Sequence, residues 1–189
     1  YVGADGMITI QCKSQAITEG REAVSMACGI PMDQLRFIMN PVGGSFGYSV
    51  SPNTYAVVAT AVQNLGIPCT LMLTYEDFSH MTGKRSATFT NGRIAVTKDG
   101  KIVAAEYDIG LDHGAYGSMG SKIFNNLITV GFHGYNIPNF KGLARGASTN
   151  NAYCAPYRGF GGPQAYTATE ALIDMAAEKI DMDPWEFRY

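Results

Sequence analysis

Two glycine-aromatic loops carry the strongest chemical signal in the chain, Gly43-Gly44-Ser45-Phe46-Gly47 and Arg158-Gly159-Phe160-Gly161-Gly162. Glycine lets the backbone come close to a ligand and lets successive N–H groups serve as donors to oxygen or phosphate. The first loop has neither the Gly-x-Gly-x-x-Gly spacing of dinucleotide folds nor the Gly-Lys-Ser/Thr of a P-loop. Taken alone, its alternative reading is a tight turn made of glycines for steric reasons. The second loop is harder to explain that way, because Pro156 to Gln164 gathers one cation, two aromatics and three glycines just before a long helix. Arg158 offers either an exposed charge or a forked donor to an acceptor group. Phe160 offers either core packing or a flat face for a planar ligand.

These loops need elements to hold them. Met7 to Lys13 alternates apolar and polar residues as a half-buried strand does, and residues 16–28 have helical spacing that stops at Gly29. Asp33 to Asn40 is extended and delivers the chain into the first loop. Ser51-Pro52 then opens a second helix that ends near Leu65 and Gly66, followed by a short strand over Thr70 to Thr74. Residues 86–97 and 101–112 form a hairpin through Lys98-Asp99-Gly100. Residues 113–138 read as glycine-rich and irregular, Lys141 to Asn150 as a strand, and 164–180 as the clearest helix. The order predicts a mixed α/β (α+β) fold of twisted mixed sheets with packed helices, with 1–189 read as a fragment of one domain and a candidate lobe boundary in 113–150.

Composition narrows the partners. The 189 residues are 46% hydrophobic, and 14 Lys and Arg face 16 Asp and Glu for a formal charge of −2. That is enough for a substantial core, and it offers no general field for nucleic acid or an anionic membrane. Cys12, Cys28, Cys69 and Cys154 are scattered without metal-ligand spacing, which fits reduced thiols. No apolar run reaches the roughly 20 residues of a membrane span, and no basic-then-apolar leader opens the chain, so a cytoplasmic setting is expected. The start at Tyr1 and the stop at Tyr189, just after a short helix opened by Asp183-Pro184, lead us to expect a piece of a longer chain.

Other polar residues have plainer explanations. Asp112-His113 suggests a base held by an acid, but neighbours on a strand point to opposite faces, so a structural role is expected for His113. His80 and His133 have no acidic partners at ligand spacing, and the methionines are dispersed as core filler.

Taken together, Ser14-Gln15, Gly43 to Gly47, Thr82-Gly83-Lys84-Arg85-Ser86, Asp112-His113-Gly114, Tyr135-Asn136-Ile137-Pro138-Asn139 and Tyr157 to Gln164 give the chain a family likeness. It resembles the molybdopterin-binding large subunit of the xanthine dehydrogenase and aldehyde oxidoreductase family of molybdenum hydroxylases. The regions at Tyr75, Thr82 to Ser86 and Asp112 to Tyr116 look closest to the bacterial aldehyde oxidoreductase branch.

The resemblance implies oxidation of an aldehyde to a carboxylic acid with water as the oxygen source. Its alternatives are hydroxylation of an N-heteroaromatic such as nicotinate or a purine, or a noncatalytic structural or assembly domain. It implies molybdenum-molybdopterin, in a form such as the cytosine dinucleotide, and no direct protein ligand to the metal. It also implies iron-sulfur clusters and FAD on other domains or subunits, with the rest of the same subunit and a small aldehyde or heteroaromatic as partners. Gln15 matches the glutamine whose amide lies near the oxygen ligands of molybdenum, and Phe46 with Gly43, Gly44, Ser45 and Gly47 matches the loop that approaches the metal from the other side. Tyr157, Arg158 and Gly159 match a pterin-holding segment. Val50, Asn126 and Phe160 match positions of the substrate channel.

Some positions depart from the family pattern. Ser45 replaces the third glycine of the usual first loop, so its side chain needs space and a hydrogen-bond partner. Tyr157 stands where Phe is common. Val50 and Asn126 stand where purine-oxidising members carry a Glu and an Arg, which turns the expectation away from xanthine. The family's general base, a glutamate near the end of the subunit, is expected beyond Tyr189, so the isolated chain is expected to be inactive and to hold no cofactor.

Overall fold

The computed structural model describes residues 1–116 and 119–189. It divides into two compact units, one of residues 1–83 with 155–158 and one of residues 84–154 with 159–189. The stretch 113–150, our candidate lobe boundary, lies inside the second unit.

The first unit begins with strand β1 (Ile8–Cys12), helix α1 (Ile17–Cys28) and strand β2 (Leu35–Met39). The strands pair in parallel, from Ile8 with Leu35 to Cys12 with Met39, so α1 is the crossover such a pair requires. Helix α2 (Asn53–Leu65) packs on α1 and β1. Ile10, Cys12, Val24, Ile30, Leu35 and Ala59 form the core between them. Both predicted glycine stops are present, with Gly29 and Gly66 each left-handed at φ 66.

The strand expected over Thr70 to Thr74 is absent, and helix α3 (Tyr75–Met81) follows instead. Thr74 caps it, accepting from the Asp77 N–H at 3.1 Å while Asp77 Oδ2 accepts from the Thr74 N–H at 3.1 Å. The spacing of Leu71 and Leu73 imitates a strand, but no neighbouring strand pairs with it, and Leu71 and Met72 are exposed.

In the second unit, strands β3 (Thr88–Val96) and β4 (Ile102–Gly114) form the predicted antiparallel hairpin, turning at Gly100 with φ 87. Helix α4 (Gly120–Val130) then leads to strand β5 (Phe140–Ser148), which pairs parallel to β4 and gives the order β3-β4-β5. Alternate β4 residues Ala105, Tyr107, Ile109 and Leu111 are buried against Ile123 and Leu127 of α4. Helix α5 (Gly162–Lys179) lies along β3. Helix α6 (Pro184–Phe187) closes the chain, capped by Asp183.

Helix α4 corrects the irregular reading of 113–138, of which 117–118 lie outside the described residues. Its buried Ile123 and Leu127 are four apart on one face, but the surrounding glycines and asparagines mask the period. Gly120 has a steric cause, since a Cβ there would strike the imidazole of His113. His113 itself packs against Phe124 at 4.9 Å between ring centroids, which fits the structural role expected for it.

Asp112 anchors the end of β4. Its carboxylate accepts from Thr149 Oγ1 at 2.6 Å, the Gly114 N–H at 2.8 Å and Asn151 Nδ2 at 2.7 Å, with Lys84 Nζ at 3.6 Å. These donors, the Thr149 hydroxyl first, hold its pKa down to about 2. A folded pKa below the unfolded one stabilises the protein above about pH 4 and loses that contribution as the pH falls toward 2. Asp112→Asn will therefore lower the melting temperature at pH 7, and thermal unfolding across pH 7 to 2 will show the gap to wild type closing toward the acid end.

No helix among the described residues is long and apolar enough to cross a membrane.

Candidate functional site

The turn between β1 and α1 places Gln15. Ser14 Oγ donates to the Ser49 carbonyl at 3.3 Å and accepts from the Ala16 N–H at 3.0 Å, while the Gln15 N–H also reaches the Ser49 carbonyl at 3.1 Å. One carbonyl thus ties the glutamine turn to the segment just after the first glycine loop.

In that loop Gly43, Phe46 and Gly47 have φ of 62, 53 and 105. For phenylalanine this is a strained conformation, and it costs about 1 kcal/mol or more. The loop is held from the other side by Pro156 to Arg158, which belong to the same unit. The Arg158 N–H donates to the Phe46 carbonyl at 2.9 Å, and the guanidinium lies 5.7 Å from the centre of the Phe46 ring. A Cβ on Gly47 would fall 2.7 Å from the Pro156 carbonyl carbon and closer still to its oxygen, so only glycine permits this approach.

Ser45 has found the partner its side chain requires. Its hydroxyl donates to Gln15 Oε1 at 2.7 Å and accepts from the N–H groups of Gly47 at 3.3 Å and Ser49 at 3.0 Å. Val50 is half-buried on a short 3-10 turn, its N–H on the Gly47 carbonyl at 3.1 Å. The first unit therefore gathers Gln15, Gly43 to Gly47, Val50, Tyr157 and Arg158, with Phe46, Tyr157 and Arg158 exposed.

Gly159, Phe160 and Asn126 lie in the second unit. Asn126 Nδ2 donates to the carbonyls of Phe160 at 2.7 Å and Gly159 at 3.3 Å, bracing the loop that opens α5. Gly161, at φ 93, crosses α4 so closely that a Cβ would sit 2.7 Å from the Ile123 carbonyl. Gly161 is thus explained by close backbone approach within the second unit.

A cleft of about 670 Å³ in the first unit lies along β1 and α2 and includes Thr9, Cys12, Lys13, Tyr48, Tyr55 and Phe78. Burial raises the Cys12 thiol and pushes the Tyr55 hydroxyl to about 12, so both stay protonated near neutrality. None of Gln15, Ser45 or Phe46 lines it. The Gln15 turn and the first glycine loop, rather than this cleft, hold the convergent donors.

The donor set fits an oxygen-rich, anionic ligand. The N–H groups of Gly43, Gly44, Ser45 and Phe46 and the Nε2 of Gln15 meet no acceptor among the described residues. Four successive backbone donors beside an uncharged amide suit a phosphorylated pterin and a metal that carries oxygen.

The family profile of the molybdopterin cofactor-binding domain matches residues 1–189, and the chain belongs to that family. It is 40% identical over 189 residues to the aldehyde oxidoreductase of Megalodesulfovibrio gigas, covering 100% of this chain and 21% of the relative. The large molybdopterin subunit of nicotinate dehydrogenase from Eubacterium barkeri is 27% identical over 188 residues, covering 100% of this chain and 44% of that one. The solved aldehyde oxidoreductase of Desulfovibrio desulfuricans superposes with a TM-score of 0.95 at 37% identity, over 100% of this chain and 21% of the other. The chain thus spans about a fifth of the length of the aldehyde oxidoreductases it matches.

Proposed function

We propose that the chain is part of a molybdenum hydroxylase that oxidises an aldehyde to a carboxylic acid with water as the oxygen source. The observation that carries this reading is the donor set of Gln15 and the Gly43 to Gly47 loop, braced by Pro156 to Arg158. In it Gly43, Gly44, Ser45, Phe46, Gly47, Tyr157 and Arg158 hold the cofactor, with Gly159 following Arg158 in the chain. Gln15 and Phe46 face the reacting side.

When bound, molybdenum-molybdopterin supplies the two-electron oxidation. The residues of this chain do the positioning. Gln15 donates from a neutral amide, which stabilises negative charge without competing as an anionic metal ligand. The backbone N–H groups of Gly43 to Phe46 add fixed donors that need no reorganisation. Phe46, set at φ 53 and backed by the Arg158 guanidinium, presents an apolar wall that excludes water. Val50 brings no charge to the substrate side, which favours an aldehyde over a purine. Phe160 and Asn126 keep substrate-facing roles in the second unit. Iron-sulfur and flavin groups on other domains or subunits accept the electrons, in the cytoplasm, and the isolated 189-residue chain is inactive.

The test uses the full-length protein that contains this chain, purified from a host competent in molybdopterin synthesis. Metal and pterin analysis will find both, and an aromatic aldehyde will turn over faster than nicotinate or xanthine. Absence of pterin and molybdenum would point instead to a noncatalytic domain, and rapid xanthine oxidation with Val50 in place would overturn the substrate assignment.

A further inference from the structure

We infer that Ser45 is a positioning residue that fixes which end of the Gln15 amide faces the ligand. The inference follows from donor and acceptor counting around one hydroxyl. A serine hydroxyl has one proton and two lone pairs. The N–H groups of Gly47 and Ser49 can only donate, and they occupy the two acceptor positions of Ser45 Oγ at 3.3 and 3.0 Å. The hydroxyl proton is left for the remaining neighbour, the Gln15 side chain at 2.7 Å.

That neighbour must therefore be an acceptor. The amide oxygen of Gln15 faces Ser45, and its NH2 group is turned away, with no acceptor among the described residues. Flipping the amide would set an N–H donor against a hydroxyl whose lone pairs are both taken, so one orientation is strongly preferred. The backbone of the same loop thereby dictates the polarity of the glutamine thirty residues away in sequence.

The consequence deepens the function proposed above and rests on it for its catalytic meaning. With glycine or alanine at position 45, Gln15 has no local partner for its oxygen, and either end of the amide can face the cofactor. Only the NH2 end donates to an oxygen-rich ligand. Ser45 thus acts through Gln15 rather than on the cofactor.

The experiment compares wild type, Ser45→Ala, Ser45→Thr, Gln15→Ala and the double variant Ser45→Ala/Gln15→Ala in the full-length protein. Crystal structures read the geometry without reference to cofactor content. The Gln15 side chain will keep a single position on residue 45 in wild type and Ser45→Thr, and will spread over several positions in Ser45→Ala. In turnover, Ser45→Ala will lose about 10-fold in kcat with little change in KM, Ser45→Thr will recover most of it, and Ser45→Ala will have no further effect once Gln15 is alanine. A Gln15 side chain that stays in place in Ser45→Ala would overturn the positioning role whether or not the protein holds cofactor. So would equal losses from Ser45→Ala with and without Gln15. If Gln15 loses its position in Ser45→Ala while the wild-type protein holds no molybdenum or pterin, the positioning role stands and the proposed function fails.

Discussion

Gly47→Ala will strip the full-length protein of most of its cofactor and lower its melting temperature. Two penalties combine at this position. An alanine at φ 105 is strained, and its Cβ meets the carbonyl of Pro156, a backbone group that cannot swing aside like a long side chain. Strain and overpacking each cost on the order of 1–3 kcal/mol. The loop relieves the clash only by moving away from Pro156 to Arg158, which gives up the hydrogen bond from the Arg158 N–H to Phe46. Gly29→Ala is the matched control, because Gly29 is also left-handed at φ 66 but has open space where its Cβ would go and lies at the end of α1, outside the loop. It will cost about 1 kcal/mol and keep its cofactor. Pterin content and thermal unfolding of the two variants measure the difference. Equal behaviour would show that strain alone matters and that the contact with Pro156 does not.

Changing Gln15 will have the larger effect on turnover. Gln15→Ala removes a single uncharged donor from the reacting side, and losses of this kind run to about 10²-fold in kcat. Gln15→Glu will do worse, because the hydroxyl of Ser45 still satisfies one oxygen and the other then brings negative charge where a donor stood. Both variants will fold, since the side chain is exposed and its N–H bond to the Ser49 carbonyl is made by the backbone. Steady-state rates alongside molybdenum content check this. Loss of metal in parallel with activity would assign Gln15 to cofactor retention rather than to chemistry.

Much of the fold could be read from local signals. Gly29 and Gly66 end helices because left-handed φ is accessible to glycine, and Asp99-Gly100 turns a hairpin for the same reason. Helix α4 was hidden because its glycine at 120 answers to an imidazole on β4, a contact that no local pattern encodes. Helix α3 was missed although Thr74 and Asp77 have capping spacing, because the apolar period before them imitated a strand. At the site, resemblance singled out Gln15, Ser45 and the glycines. The pairing of Ser45 with Gln15 emerges only when the chain folds and closes a gap of thirty residues.

The first unit includes residues 155–158 although the chain leaves it after Gly83. During synthesis on the ribosome, Phe46 and Gly47 emerge about a hundred residues before Pro156 and Arg158, their eventual neighbours. At about 5–20 residues per second, the glycine loop waits several seconds or more for its brace. The first unit therefore cannot finish folding in the order in which it is made, and residues 84–154 must be translated before the loop can settle. Under the function proposed above, cofactor capture would be deferred until after that stretch has been made, and a nascent chain halted before Pro156 would lack the support that shapes its glycine loop.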